Sequence, residues 1–327
     1  MPCVSPLKGW KDNETGGLTF DRTNTKEKMD VACGQCIGCR IDRRRHWSMR
    51  IVHESSLYEI DGGNCFITLT YRDRIECSPE QWRNGQHVPS DWSLHKAHFQ
   101  KFMKRLRKSF EPQRIRYFVA GEYGRRCQHG IDLECVACPV CNLGRPHYHA
   151  CLFNCSFPDL EPYSSGPNGL RYTSPMLEKI WGYGFVDVGE LNFATAEYVA
   201  GYVLKKVTGI RADDHYFQYC EDGFPVWVTP EYCDMSRKPG LGRGWFDKYQ
   251  DDVFPSDEVP VVGRGVLKGV PRYYQEIYAE EHPLDFEEVK RARQEFIKAH
   301  GYDFTPERLM DKYKVMRARQ RLKVREL

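Results

Sequence analysis

Pro146-His147-Tyr148-His149-Ala150-Cys151-Leu152-Phe153 reads as a β-strand that carries chemistry on one face. Side chains alternate along a strand, so His147 and His149 project together while Tyr148 and Ala150 point the other way. Two imidazoles about 7 Å apart on one strand face can grip a single divalent metal ion. The same spacing also fits two ordinary histidines of a half-buried strand, so a metal site needs a third donor. Glu122, in Val119-Ala120-Gly121-Glu122-Tyr123-Gly124, is the best candidate. Arg114 to Tyr123 alternates as the preceding strand. If residues 125–144 are an inserted lobe, a hairpin brings Glu122 close to His147. Two histidines and one carboxylate leave coordination positions open, as a catalytic site requires. A rim glutamate facing solvent is the plainer alternative.

Working outward, the elements alternate in a simple order. Ile41 to Tyr58 reads as a helix. Asn64 to Tyr71 reads as a strand, because Phe66-Ile67-Thr68-Leu69-Thr70-Tyr71 are all strand-favouring residues. Ser93 to Phe110 is a helix with an apolar stripe of Phe99, Phe102, Met103, Leu106 and Phe110. Ser174 to Trp181 is a short helix with Pro175 in its first turn, Gly184 to Leu191 a strand, and Ala194 to Val207 a helix. The order β-α-β-β-α-β-α predicts an α+β fold, a mainly antiparallel sheet with helices packed on one side. Residues 1–32, rich in Gly, Asn, Thr and charge, read as an irregular arm. Three helices are expected near 272–281, 285–299 and 306–325. The organisation expected is an N-terminal arm and helix over 1–60, a central domain over 61–210 and an extension with basic helices over 211–327.

The 327 residues are 41% hydrophobic and 28% charged, a soluble globular mix that sets wholesale disorder aside. No apolar run is long enough to span a bilayer, and the N-terminus carries no secretory signal pattern. Net charge is only +3, but basic residues cluster. Arg40, Arg43, Arg44 and Arg45 form one group, and Lys101, Lys104, Arg105, Arg107 and Lys108 another. From Lys312 to Arg325 every charged residue is basic. Such patches suit a polyanion, nucleic acid first, although solvated helix faces look the same. Fourteen cysteines in this context read as thiols or metal ligands rather than disulfides.

Tyr198-Val199-Ala200-Gly201-Tyr202-Val203-Leu204-Lys205-Lys206 supplies the second chemical signal. Tyr198 and Tyr202 lie one helical turn apart, with Lys205 following on that face. The pair can be core aromatics at helical spacing. It can equally be two nucleophiles, with Lys205 favouring the phenolate or neutralising a phosphate under attack.

Taken in order, Phe66 to Tyr71, the His-Tyr-His strand and the paired-tyrosine helix resemble the three motifs of HUH endonucleases. More narrowly, the chain resembles the replication initiators of gokushovirus-type microviruses. Cys33-Gly34-Gln35-Cys36-Ile37-Gly38-Cys39-Arg40, Phe102-Met103-Lys104-Arg105-Leu106-Arg107 and Met235-Ser236-Arg237-Lys238-Pro239-Gly240-Leu241-Gly242 extend the likeness to residues 30–275. The resemblance implies an origin nickase with a ferredoxin- or RRM-like HUH fold. A tyrosine joins the 5′ phosphate, the freed 3′ hydroxyl primes rolling-circle synthesis, and a second tyrosine later closes the released strand. It further implies His147 and His149 as metal ligands, Tyr198 and Tyr202 as alternating nucleophiles, Lys205 as their assistant, and Mg²⁺ or Mn²⁺ as the metal. The DNA would be single-stranded or extruded at the cut, with Lys206 and the basic helix at 93–110 contacting its backbone. The expected setting is the cytoplasm of an infected bacterium.

One departure from the family pattern stands out. Cys127, Cys135, Cys138 and Cys141 fall where a short turn would suffice, and four thiols so spaced can close a structural zinc site, with His129 an alternative ligand. Cys33, Cys36 and Cys39 lack a local fourth ligand, which Cys3 or a distant residue would have to supply. No Gly-x-x-x-x-Gly-Lys-Ser/Thr phosphate loop is present, so host helicase and DNA polymerase are expected as partners. The competing readings are a relaxase or single-strand transposase of the same fold, a zinc-stabilised nucleic-acid-binding protein without catalysis, and a zinc hydrolase.

Overall fold

The computed structural model describes residues 3–325 except 16, 22, 24, 59–62, 74–75, 128–143, 167–168, 203–205, 208, 210, 220–222 and 302–304. The chain divides into two compact units, Met1–His46 with Ile277–Leu327, and Trp47–Glu276. The first opens with β1 (Leu7–Asp12), β2 (Leu18–Thr19), β3 (Thr25–Val31) and the start of α1 (Ile37–Ser55). The second continues α1 and adds β4 (Asn64–Thr70), α2 (Pro79–Arg83), α3 (Lys96–Ser109), β5 (Arg116–Cys127) and β6 (Gly144–Phe153). It goes on through β7 (Glu161–Gly166), β8 (Gly169–Thr173), α4 (Pro175–Trp181), β9 (Val186–Glu190) and α5 (Phe193–Gly201). Next come α6 (Arg211–Tyr216), β10 (Phe217–Tyr219), β11 (Pro225–Trp227), β12 (Tyr232–Met235) and α7 (Arg243–Val253). The hairpin of β13 (Glu258–Val261) and β14 (Gly265–Lys268) leads into α8 (Arg272–Glu281). The end of α8, then α9 (Pro283–His300) and α10 (Pro306–Arg325), belong to the first unit. Among the described residues no helix is long and apolar enough to cross a membrane.

Seven strands form one antiparallel sheet in the order β12-β5-β6-β4-β9-β8-β7, the α+β architecture expected. On one face, Phe99, Phe102, Met103 and Leu106 of α3 pack with Ile67, Leu69, Val119, Tyr148, Ala150 and Leu152. Burying each such side chain contributes roughly 1.5–3 kcal/mol. Tyr148 carries its polar end into this core by donating to the His95 carbonyl at 3.0 Å. Helices were expected on one side only, and here the structure differs. The aromatic rings of α5 and of Trp47 on α1 lie against the opposite face, on His149 and Phe118. Phe118-Val119-Ala120 of β5 and Ala150-Cys151-Leu152-Phe153 of β6 are unbroken apolar runs, so both faces of these strands need cover.

Two further differences have local causes. Residues expected as an irregular arm form a three-stranded sheet in the order β2-β1-β3, whose alternation is blurred by Lys8, Lys11 and Asp12. The β7–β8 hairpin carries no apolar alternation in Glu161-Pro162-Tyr163-Ser164-Ser165-Gly166 to announce it. Capping explains where α4 starts and ends. The Ser174 hydroxyl accepts from the Leu177 amide ahead of Pro175, and Gly182 ends α4 in the left-handed region.

The segment Lys238 to Gly242, part of the stretch that extends the family likeness, is a carbonyl cradle for three arginines. Arg114, Arg116 and Arg50 donate to the carbonyls of Lys238, Pro239 and Leu241. Gly242 has φ +78°, and a Cβ there would collide with the Tyr274 hydroxyl. That hydroxyl donates to His53 Nδ1 at 3.0 Å, and His53 Nε2–H donates to the Pro260 carbonyl at 3.0 Å. His53 is 1% exposed, and burial pushes its pKa down to about 4 against the partial support of that carbonyl. The unfolded chain therefore binds a proton between pH 6.5 and 4 that the folded chain refuses, so stability falls as pH falls through this window. The expected loss is about 3 kcal/mol. Urea midpoints at pH 7 and pH 4 should show it, and a His53→Phe variant should flatten the difference. A slope unchanged by that variant would contradict this assignment.

Candidate active site

β6 places His147 and His149 on the sheet face opposite α3, and the antiparallel register sets Glu122 of β5 directly across from His147. Glu122 Oε1 lies 2.8 Å from His147 Nε2 and 3.0 Å from His149 Nε2. Glu122 and His149 are buried and His147 is half-buried. Ligand bonds of about 2.0–2.2 Å set neighbouring donors about 3 Å apart, so these separations suit one bound cation.

Proton accounting points the same way. His147 Nδ1 faces the Arg145 carbonyl at 3.1 Å, and a carbonyl only accepts, so Nδ1 carries the proton. In a neutral imidazole Nε2 then presents a lone pair to the carboxylate oxygen. That contact is favourable when the ring or the carboxyl carries a proton between them, or when a cation sits between the two atoms. His149 Nδ1 is engaged in turn by Thr68 Oγ1 at 3.0 Å. Both rings thus have Nδ1 anchored and Nε2 directed at Glu122, the way outer-shell partners orient metal-binding histidines. Burial opposes ionisation of Glu122, but where the imidazoles are protonated their Nε2–H groups donate to it and hold the carboxyl well below the usual range.

Tyr198 and Tyr202 close over this group. The Tyr202 ring stacks on His149 at 5.0 Å between centroids, and Tyr198 meets the same imidazole edge-on at 5.2 Å. The two phenol rings are 4.9 Å apart, and Phe66 supports Tyr198 from β4. α5 is fixed by a capping box in which Asn192 and Thr195 satisfy each other's backbone amides. Its small Ala196 and Ala200 are fully buried. Tyr202 is 4% exposed, and burial, with Glu122 and Tyr198 close by, keeps its phenol protonated far above the normal tyrosine range. Tyr198 is only half-buried. A cavity of about 240 Å³ opens beside Tyr202, lined also by Trp47, Lys206, Glu231, Tyr232, Cys233 and Met235.

The other candidates fall elsewhere. α3 covers the far face of the sheet, so Lys101, Lys104 and Lys108 are not at this site. Arg105 donates to the carbonyls of Ile180 and Trp181 and Arg107 to that of Ile115, and both remain exposed on α3. Lys205, Cys135, Cys138, Cys141 and His129 lie outside the described residues, as does the side chain of Cys127. Cys33, Cys36 and Cys39 come together with Cys3. Thr68, the Arg145 carbonyl and Trp47 were not singled out from the sequence. Thr68 was legible in principle, being on the same strand face as Phe66 in a strand already recognised.

Residues 64–207 match a family model described as replication-associated protein ORF2/G2P. The chain is 30% identical over 294 residues to the replication-associated protein VP4 of Bdellovibrio phage phiMH2K, covering 86% of this chain and 79% of that one. It is 29% identical over 324 residues to the replication-associated protein ORF2 of Spiroplasma virus 4, covering 90% and 86%. A replication-associated protein of Chlamydia phage 1 is 25% identical over 285 residues, 83% of this chain and 60% of that one. No solved structure gives a significant match. The chain belongs to the replication-associated protein family that these phages carry, the microvirus replication initiators.

Proposed function

We propose that this chain nicks the phage origin by tyrosine transesterification and later rejoins the released strand into a circle. The observation that carries the reading is the pair of tyrosines packed on His149, one stacked and one edge-on, beside the Glu122, His147 and His149 group. These three residues would hold Mg²⁺ or Mn²⁺, which when bound supplies Lewis-acid polarisation of a phosphate oxygen. The phenolic oxygen of one tyrosine attacks the scissile phosphorus in line. The phosphorus–tyrosine bond forms as the bond to the 3′ oxygen breaks, and that oxygen leaves as a hydroxyl while the phenol loses its proton. The phosphotyrosine link conserves the phosphodiester's energy, so the second tyrosine and the returning 3′ hydroxyl complete the exchange without ATP. Lys205 is assigned to assist the phenols. Trp47 and Tyr232, with Lys206 in the cavity beside Tyr202, suit a single strand held by stacking and charge. Host helicase and DNA polymerase would open and copy the DNA in the bacterial cytoplasm.

The test incubates the full chain with labelled single-stranded oligonucleotides tiling its genome, in Mn²⁺ or in EDTA, followed by denaturing gel electrophoresis. A Mn²⁺-dependent covalent adduct is expected, abolished in the Tyr198→Phe/Tyr202→Phe double variant. Being half-exposed, Tyr198 is expected to provide most of the first-turnover adduct, so Tyr198→Phe should cost more than Tyr202→Phe. Binding of the oligonucleotides with neither cleavage nor adduct would overturn the nickase and favour a zinc-stabilised nucleic-acid-binding protein.

A further inference from the structure

We propose that Cys3, Cys33, Cys36 and Cys39 form a closed, structural Zn²⁺ site that ties the N-terminal sheet to the start of α1. Register, sulfur spacing, backbone donors, turn geometry and burial converge on it. The antiparallel register pairs Leu7 of β1 with Val31 of β3, which carries Cys3 back to Cys33 across thirty residues of chain. The Cys3 sulfur lies 3.7 Å from those of Cys33 and Cys36, and all four sulfurs fall within 4.8 Å of one another. A tetrahedron with Zn–S bonds of about 2.3 Å requires sulfurs about 3.8 Å apart.

Backbone donors surround the sulfurs as well. The Val4 amide points at Cys36 Sγ (3.4 Å), that of Cys33 at Cys3 Sγ (3.4 Å) and that of Cys36 at Cys33 Sγ (3.2 Å). Such donors stabilise thiolates rather than neutral thiols. Gly34 supplies the left-handed turn, φ +74°, that lets Cys33 and Cys36 face the same point, and Arg43 fixes it by donating to the Gly34 carbonyl at 3.1 Å. Cys3 and Cys39 are buried.

Chemistry and energetics select the metal and its role. Four soft thiolates favour Zn²⁺ over the hard ions suited to carboxylate and water. Four protein ligands leave no open position, so the site does no catalysis. The sheet it anchors has strands of six, two and seven residues, with Leu7, Leu18 and Phe20 exposed. So small a sheet lacks a core of its own and needs a staple.

The test is metal content and thiol protection in the full chain. After gel filtration into metal-free buffer to remove loosely held ions, the Cys135→Ser/Cys138→Ser/Cys141→Ser variant should retain one zinc equivalent. Its X-ray absorption should report four sulfurs at about 2.3 Å. Adding Cys36→Ser to that background should remove the equivalent. In unaltered protein, alkylation read by mass spectrometry should spare Cys3, Cys33, Cys36 and Cys39 until a strong zinc chelator is added. This arm needs no variant to fold. Zinc lost with the triple variant alone, or nitrogen and oxygen neighbours in the spectrum, would overturn the site. So would alkylation of the four cysteines before chelation, or a disulfide among them.

Discussion

Glu122→Gln is expected to reduce Mn²⁺-dependent adduct formation by at least about a hundredfold, because removing even an outer-shell partner of a metal ligand costs 10–100-fold. The substitution is nearly isosteric and keeps a carbonyl facing the imidazoles, so the fold should survive. What it removes is the negative charge between two Nε2 atoms at 2.8 and 3.0 Å. A neutral amide oxygen is a much weaker partner for a divalent cation that His147 and His149 would also hold. Raising Mn²⁺ should recover part of the activity if affinity is what was lost. Electron paramagnetic resonance of free Mn²⁺ gives a reading independent of DNA, with weaker binding expected in the variant. Adduct yields within threefold of the unaltered protein at equal Mn²⁺ would remove Glu122 from the site.

Glu54→Ala should destabilise the fold by about 3–5 kcal/mol, the cost of stranding one partner of a buried ion pair. Glu54 and Arg116 are 2% and 5% exposed, and Glu54 Oε1 lies 2.6 Å from the Arg116 guanidinium. The other carboxylate oxygen accepts from the Gly242 amide at 2.8 Å, while Arg116 also donates to the Pro239 carbonyl. The alanine variant would leave a desolvated cation and an unsatisfied amide together. Against a typical total of about 5–15 kcal/mol, that is a substantial share of the stability. Replacing both partners by methionine removes both charges and should recover much of the loss. Urea unfolding of the single and double variants decides it. A single variant within 1 kcal/mol of the unaltered chain, or a double variant no better than the single, would refute the account.

Local periodicity made much of the scaffold legible. Alternation over residues 146–153 puts two imidazoles on one face, and β6 carries them there. The stripe of Phe99, Phe102, Met103 and Leu106 becomes the buried face of α3. Spacing by four puts Tyr198 and Tyr202 on one side of α5, although the tyrosine pattern alone fitted core packing equally well. Each of these relations lies within a single element, where the backbone repeat dictates which side chains share a face.

Relations between elements were decided by the tertiary structure. Hairpin reasoning suggested Glu122, but only the register of β5 on β6 sets one of its oxygens against both histidines. Only the packing of helices on both faces separates the lysines of α3 from the tyrosines of α5. Cys3 reaches the Cys33–Cys39 cluster because β1 pairs with β3, an antiparallel match that no local spacing encodes. The Lys238–Gly242 segment, conspicuous in sequence, owes its role to arginines more than a hundred residues away. Local repeats settle which residues share an element's face. Long-range pairing, set by burial and backbone hydrogen bonding, settles which faces meet.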